Sequence, residues 1–447
     1  MTTAICRHLR SRGLRVAPFK AQNMSNNSFP CAGGGEIGRA QVAQAEACGL
    51  EPEPDMNPVL LKPNSNMGSQ VIVNGKVWKT LSSIDYFAQT SMLRQAALDA
   101  YDRLSVRFEY IVIEGAGSVA EMNLKSRDYV NLSMAKAAGA RALLVADIDR
   151  GGVFAAILGT LDLLDAEERA LVRAFAVNRF RGDRALFDDG VRILESRSGS
   201  PCLGVFPRLE GQLPQEEDSV SLDETTNEDG AVVAILRLPR ISNFTDFRLL
   251  RASWISRPEP RDFEWVIVPG TKNTMGDLEW LRHTGLDQWI LEQHRRGAKI
   301  LGICGGYQML GRTIDDPHGM ENAGGRGTVE GLGLLPVHTV LDQDKVVRTV
   351  RAKVGGVAVG AYEIHLGHST CAIELPAFAS LEDGRGVGVV ADGVIGTYLH
   401  GVFEHASVAS LLFGAHAVRE DARQPYDALA RWFAEYADMK LFEEQFL

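Results

Sequence analysis

Gly302-Ile303-Cys304-Gly305-Gly306 interrupts a run of strand and helix formers, and its reading organises the rest of the chain. Ala298-Lys299-Ile300-Leu301 before it is a compact apolar run that predicts a buried strand. Tyr307-Gln308-Met309-Leu310 after it opens a helix. Strand, glycine-flanked turn and helix with a thiol at the apex repeat the nucleophile-elbow pattern G-x-S-x-G, with sulfur in place of oxygen. Glycine on each flank lets the backbone turn tightly, because no Cβ obstructs it. A helix N-terminus beyond the thiol favours the thiolate and offers N–H groups to a developing oxyanion. Cys304 is therefore a candidate nucleophile, against the plainer alternative of a buried structural cysteine beside a glycine-rich loop.

A thiol nucleophile needs a base or an imidazolium partner, and the chain holds 10 histidines. His400, in Gly396-Thr397-Tyr398-Leu399-His400-Gly401, follows an apolar strand and can face the same strand-end crevice as Cys304. The alternative for it is a hydrogen-bonded surface histidine. His365, in Tyr362-Glu363-Ile364-His365, and His368 are competitors that suit substrate or structural roles better. Val266-Ile267-Val268-Pro269-Gly270-Thr271 reads as a strand and turn, so the Gly270 backbone is one candidate oxyanion donor and Gly305 the other.

At 447 residues the chain exceeds one ordinary core, which predicts two domains. A hydrophobic share of 45% and a charged share of 23% are those of a globular protein. No apolar run reaches the ~18 residues of a membrane span. A net charge of −10 argues against nucleic acid as a partner. Six scattered cysteines without a C-x-x-C pair fit a reducing cytoplasm and argue against a thiolate zinc site. Arg7, Arg10, Arg12 and Arg15 near the start raise the question of a transit peptide, but the segment runs straight into Val16-Ala17-Pro18-Phe19-Lys20, so a helix without a targeting role is expected. Nothing in the sequence marks an oligomeric state.

A helix over 4–12 and a strand over 14–19 begin an α/β unit, followed by a polar loop from Gln22 to Cys31. A helical stretch is expected from Glu36 to Gly49, a hairpin with an Asn-Gly turn over 70–78, and a long helix over 83–104. Strands at 110–113, 142–146, 174–177 and 202–205, with helices between, predict a parallel sheet covered on both faces. Glu114 and Asp147 then fall just past strand ends, where functional residues collect in such sheets. Between Arg208 and Gly230 the composition turns acidic, which sets the expected division: residues 1–210, a linker over 211–230, and residues 231–447.

The second half resembles the class I glutamine amidotransferases, in which a Cys–His pair hydrolyses glutamine and releases ammonia. The resemblance is carried by Gly302-Ile303-Cys304-Gly305-Gly306-Tyr307-Gln308-Met309-Leu310-Gly311, Pro269-Gly270-Thr271-Lys272-Asn273-Thr274, Tyr362-Glu363-Ile364-His365 and Tyr398-Leu399-His400-Gly401. The first half adds Pro18-Phe19-Lys20-Ala21-Gln22-Asn23-Met24-Ser25-Asn26-Asn27, Gly35-Glu36-Ile37-Gly38-Arg39-Ala40-Gln41, Glu114-Gly115-Ala116-Gly117-Ser118 and Asp147-Ile148-Asp149-Arg150-Gly151-Gly152. Together they make nearly the whole chain similar to the cobyrinic and cobyric acid synthase family, with Lys20-Ala21-Gln22-Asn23-Met24 favouring the cobyric branch.

The resemblance implies a P-loop-type, dethiobiotin-synthetase-like parallel α/β domain followed by a class I amidotransferase α/β domain. It implies Cys304 and His400 as a catalytic dyad: the glutamate that often follows the histidine by two residues is Val402 here, and Glu404 is not at the matching place. It implies ATP and Mg²⁺, because joining ammonia to a carboxylate in water requires activation to an acyl phosphate. Glu114 is then the expected Mg²⁺ and nucleotide-site carboxylate. Asp147 is a second, with a helix N-cap as its alternative. Lys20 is expected on phosphate or a substrate carboxylate, unless it is a solvated lysine. Gln22, Asn23 and Asn26 are expected on substrate amide or propionate groups, unless they only shape a loop.

The implied substrates are glutamine and adenosylcobyrinic acid a,c-diamide, amidated at the b, d, e and g carboxylates, with no cobalt ligand supplied by the chain. Cobyrinic acid a,c-diamide synthase, a non-catalytic relative and a glutaminase-only relative are the rival readings. The phosphate-cradling loop G-x-x-x-x-G-K-[ST], which the family carries before its first helix, occurs nowhere in the 447 residues. The expectation is that this strand and loop belong upstream of an internal Met1, with a genuine loss of the ATP function as the alternative.

Overall fold

Successive residues of Trp265–Val268 point to opposite sides of a sheet and are buried on both. Trp265 and Ile267 enter one apolar cluster, Val266 and Val268 the other. Such continuous apolar runs belong to parallel sheets covered on both faces. The computed structural model, which describes residues 1–63, 68–209, 230–321, 327–419 and 426–447, shows that sheet. Its strand order is Ala252–Ile255, Val233–Leu236, Trp265–Val268, Lys299–Ile303, Val394–Thr397 and Val389–Ala391, parallel except for the last. The acidic linker expected over 211–230 lies outside the described residues apart from Gly230.

In the first half, Val16–Phe19 pairs in parallel with Tyr110–Ile113, while Ala142–Asp147, Val172–Phe180 and Cys202–Pro207 form a separate parallel ladder. Among the described residues, Tyr110–Ile113 and Ala142–Asp147 each pair on one side only. Both line one groove, onto which Met1 and, from the first helix, Thr2 and Ile5 also open. The two carboxylates expected at strand ends, Glu114 and Asp147, follow or close these two strands.

Three local expectations change. The polar loop from Gln22 to Cys31 contains two short strands, Gln22–Met24 and Ser28–Pro30. The helix expected from Glu36 starts at Arg39, because Glu36–Gly38 pairs with Ser28–Pro30 and Gly38 is extended; Gly49 ends it in the left-handed region at φ 70°, as its glycine stop predicts. The long helix over 83–104 is two, Ser83–Ala88 and Thr90–Ser105, broken at Gln89. The Asn74-Gly75 hairpin stands, with φ of 50° and 79° at its two central residues, as a type I′ turn requires.

Two larger features are new. Val337–Val354 and Val357–Cys371 form a long antiparallel hairpin that leans over the second sheet and carries Tyr362, Ile364 and His365 to the elbow. The last two helices, Tyr426–Tyr436 and Met439–Phe446, pack on the first half although the sequence division places them in the second. Phe433 and Phe442 share a cluster with Ala4, Leu9, Val16 and Phe206, and the Asp438 N–H donates to the Leu203 carbonyl at 2.7 Å. Among the described residues no helix is long and apolar enough to cross a membrane, and all six cysteines are free.

Candidate functional site

The elbow forms as its glycines predict. Lys299–Ile303 leads into Cys304, and the helix Gly305–Leu310 leaves it. Cys304 holds φ 53° and ψ −111°, a strained conformation for a residue with a side chain. The strain is enforced by close packing. A Cβ on Gly306 would lie 1.9 Å from the Val268 carbonyl oxygen, and one on Gly302 would lie 2.6 Å from Leu310 Cδ1. We expect Gly306→Ala to cost at least roughly 1–3 kcal/mol. Its chemical-denaturation midpoint checks this: an unchanged midpoint contradicts the packing.

The thiol is buried and donates toward the Ile364 carbonyl at 3.5 Å. On one side His400 interacts with Cys304, which favours the charged imidazole. On the other, its Nδ1 meets Asp246 Oδ2 at 2.7 Å, while the second Asp246 oxygen accepts the Gly401 N–H at 2.8 Å. The expected dyad thus has a third member. Asp246 lies on the short helix Phe244–Phe247, where the chain leaves the Val233–Leu236 strand and returns under His400. Burial alone would discharge His400; the Asp246 carboxylate and Cys304 outweigh it and lift the imidazole to about 10. His365 is pushed down to about 4, first by burial; its ring stacks on Tyr398 at 3.8 Å and its Nδ1 contacts the Gly367 carbonyl at 3.0 Å. It is therefore held as a neutral structural histidine.

Gly270 and Gly305 converge on the same centre. A Cβ on Gly270 would meet His400 Cε1 at 3.3 Å, and one on Gly305 would meet Thr271 Cγ2 at 2.7 Å. Gly305 is the first residue of its helix, so its N–H has no intrahelical acceptor.

The residues expected at the first-half site divide. Lys20 is not solvated: it is buried, and its Nζ donates to Glu114 Oε1 at 3.0 Å. Glu114 also accepts from Gln44. Burial opposes the Glu114 charge, and Lys20 with the Gln44 hydrogen bond and the Met1 amino group offsets it, so the carboxyl stays below its usual range. Asp147 is not a helix N-cap. It accepts the Asp149 N–H at 2.9 Å and approaches Arg179 at 3.4 Å, while Gly152 caps the next helix. Glu114 and Asp147 are hard oxygen donors suited to Mg²⁺. Among the described residues no cluster of three or more His, Cys, Asp or Glu side chains is placed to hold a metal ion. Gln22 accepts from Tyr129 at 2.9 Å and from Tyr86, on the wall of a crevice of about 480 Å³ shared with Phe87 and Arg127. Asn23 is buried and donates to Gln41 at 2.8 Å, which makes it part of the framework. Asn26 faces the other site, lining the cavity beside Cys304.

Sequence reasoning missed Asp246 and the part played by Glu404. Asp246 carried a signal: an acid set between Phe244 and Phe247 among apolar neighbours must find a partner if it is buried. Glu404, set aside on spacing, is half of a joint between the halves. Arg39 Nη2 donates to both its oxygens, at 2.6 and 2.8 Å, and Arg248 reaches it at 3.3 Å. Arg39→Met strips one cation from this buried carboxylate, and we expect a loss of roughly 3–5 kcal/mol in equilibrium unfolding; a loss under about 1 kcal/mol would count against the joint.

The arrangement brings a thiol, a carboxylate-oriented imidazole and a helix-start N–H to one centre, the groups that attack on an amide carbonyl uses. Comparison with known proteins agrees in both halves. Residues 232–408 match the CobB/CobQ-like glutamine amidotransferase domain, and residues 1–220 match the CobQ/CobB/MinD/ParA nucleotide binding domain. A cobyric acid synthase of Chlorobium phaeobacteroides is 45% identical across 99% of this chain and 94% of its own length. One from Chlorobaculum tepidum is 45% identical over the same shares. One from Jannaschia sp. is 46% identical over 96% of this chain and 93% of its own length. On likeness that covers nearly all of both partners, the chain belongs to the cobyric acid synthase family.

Proposed function

We propose that this chain is an ATP- and glutamine-dependent amidoligase of the cytoplasm that converts adenosylcobyrinic acid a,c-diamide to cobyric acid, amidating its b, d, e and g carboxylates. The observation that carries the reading is the buried line Cys304–His400–Asp246, set where the two halves meet.

In the second half, the Cys304 thiolate adds to the side-chain amide carbon of glutamine, and the oxyanion settles on the Gly270 and Gly305 N–H groups. Collapse breaks the C–N bond as protonated His400 gives its proton to the leaving nitrogen, releasing ammonia and leaving a thioester. Water then adds, His400 taking its proton, and glutamate leaves with the thiolate restored. Asp246 holds the imidazole in one orientation and stabilises its charged form throughout.

In the first half, Glu114 and Asp147 would hold Mg²⁺ and Lys20 would meet phosphate or a substrate carboxylate. ATP supplies the phosphoryl group that makes a carboxylate reactive toward ammonia. The carboxylates suit the metal, but the chain offers no glycine-rich cradle of the usual form, so no backbone cradle is assigned to the phosphates. The corrinoid would lie in the crevice walled by Gln22, Tyr86, Phe87, Arg127 and Tyr129, with Arg127 facing a carboxylate and Gln22 an amide.

The test measures glutamate released from glutamine and ATP-dependent amide formation separately on the same preparation. Both activities support the proposal. Glutamine hydrolysis without amidation of the corrinoid, even with ammonia added, overturns it in favour of a glutaminase.

A further inference from the structure

His400 is supported by two residues that take no part in the hydrolytic chemistry, and both of them touch the first half. One is Tyr362 of the long hairpin. Its N–H donates to the His400 carbonyl at 3.0 Å, its carbonyl accepts the His400 N–H at 2.8 Å, and the two rings stack with centroids 5.3 Å apart. The other is Asn243, which opens the short turn that carries Asp246. Asn243 holds φ 52° and ψ 36°, the left-handed region that asparagine enters more readily than most residues, and its carbonyl accepts the Asp246 N–H at 3.1 Å. One residue earlier, the Ser242 N–H donates to the Gly270 carbonyl at 2.9 Å, so the same turn also holds the glycine assigned to the oxyanion.

The first half reaches both supports through two successive residues, Ser28 and Phe29. The buried Asn243 accepts the Ser28 N–H on its Oδ1 at 3.2 Å, and its Nδ2 donates to the Tyr362 hydroxyl at 3.4 Å. The Phe29 ring meets the Tyr362 ring edge-on at 4.9 Å. Tyr362 therefore touches His400, Asn243 and Phe29 at once. The joint between the halves has ion pairs of its own, Glu36 with Lys345 and Arg39 with Glu404. The Ser28-Phe29 contacts fall instead on the residues that hold the imidazole and its carboxylate.

We propose that Asn243 and Phe29 are positioning residues for glutamine hydrolysis: through Ser28-Phe29 the first half braces Asn243 and Tyr362, and these set the His400 imidazole toward Cys304. Hydrolysis then runs at full rate only while the first half is seated on the second. The inference rests on the glutaminase reading of Cys304 and adds what keeps that centre in register. A reacting constellation must be held to about half an ångström by side chains locked through packing and hydrogen bonds. A displacement of about 1 Å costs on the order of 10²-fold in rate.

Steady-state kinetics of glutamate release by the full chain test this, with ammonia-supported amide formation on the same preparation as the control for the first half. In Asn243→Gly the left-handed backbone is kept and only the side-chain bracket is lost. In Phe29→Ala only the ring is lost. We expect each variant to lower kcat for hydrolysis roughly 10- to 100-fold, with KM for glutamine held within about threefold and the ammonia-supported rate within about twofold. Because both act through Tyr362, the double variant should fall no more than about threefold below the worse single one. Unchanged kcat in both variants, or losses that multiply in the double, overturns the inference. So does a KM that rises as kcat falls, the mark of halves that have merely parted over the cavity that Asn26 and Lys62 line. Failure of the glutaminase reading shows separately, as no glutamate release from glutamine by the native chain.

Discussion

Cys304→Ala will abolish glutamate release from glutamine, by roughly 10⁴–10⁶-fold, while amide formation from added ammonia persists. The size follows from the chemistry: without sulfur there is no thioester, and water must attack an unactivated amide. Alanine fits the elbow sterically, because the crowding there involves Gly302 and Gly306 rather than the thiol. Two assays on one preparation check it. Loss of the ammonia-supported reaction would mean that the variant had disturbed the first half as well, and the separation of the two half-reactions would fail.

Asp246→Asn is expected to lower glutamine hydrolysis by roughly 10²–10⁴-fold, by analogy with the loss of the orienting carboxylate in serine triads. The pH profile carries the sharper test. His400 must be charged to protonate the departing nitrogen, and its charged form is present below its pKa and lost as pH rises through it. Burial opposes that charge, and Asp246 with Cys304 overcomes burial to set the pKa at about 10. The native chain should therefore keep kcat/KM through neutral pH and lose it as pH passes about 10. Without the carboxylate, burial is opposed by Cys304 alone, and the alkaline limb moves to lower pH. A limb that stays in place would show that Asp246 does not act through His400.

The parts of this site legible from sequence are those written in local pattern. Gly302 and Gly306 mark an elbow because only glycine survives the contacts at Leu310 and Val268. The strands of the second sheet are legible because burial on both faces makes them continuous apolar runs. Asp246 escaped because it is 154 residues from His400, and one sequence does not state which strand ends are neighbours. That Asn26 lines the Cys304 cavity is not legible for a related reason: its loop is ordinary, and only the meeting of the halves brings it there. The long hairpin Val337–Cys371 was missed because its charged positions blur the period-2 signal where one face lies against the sheet and the other meets solvent. The final helices carried apolar faces that sequence could read as helix but could not assign to a partner.

Those final helices alter how the protein can be divided and made. Tyr426, Phe433 and Phe442 fill the core beneath the first helix, and the Tyr436 carbonyl is seated where any side chain on Gly204 would collide. During synthesis, the helix Thr2–Ser11 must therefore wait for the two helices over 426–446 to leave the ribosome before its own apolar face is covered. Cutting the gene in the acidic stretch gives one fragment with an open core and another with a dangling clasp. Expressed together, the two are matched for split-protein complementation, with the clasp drawing them back into register.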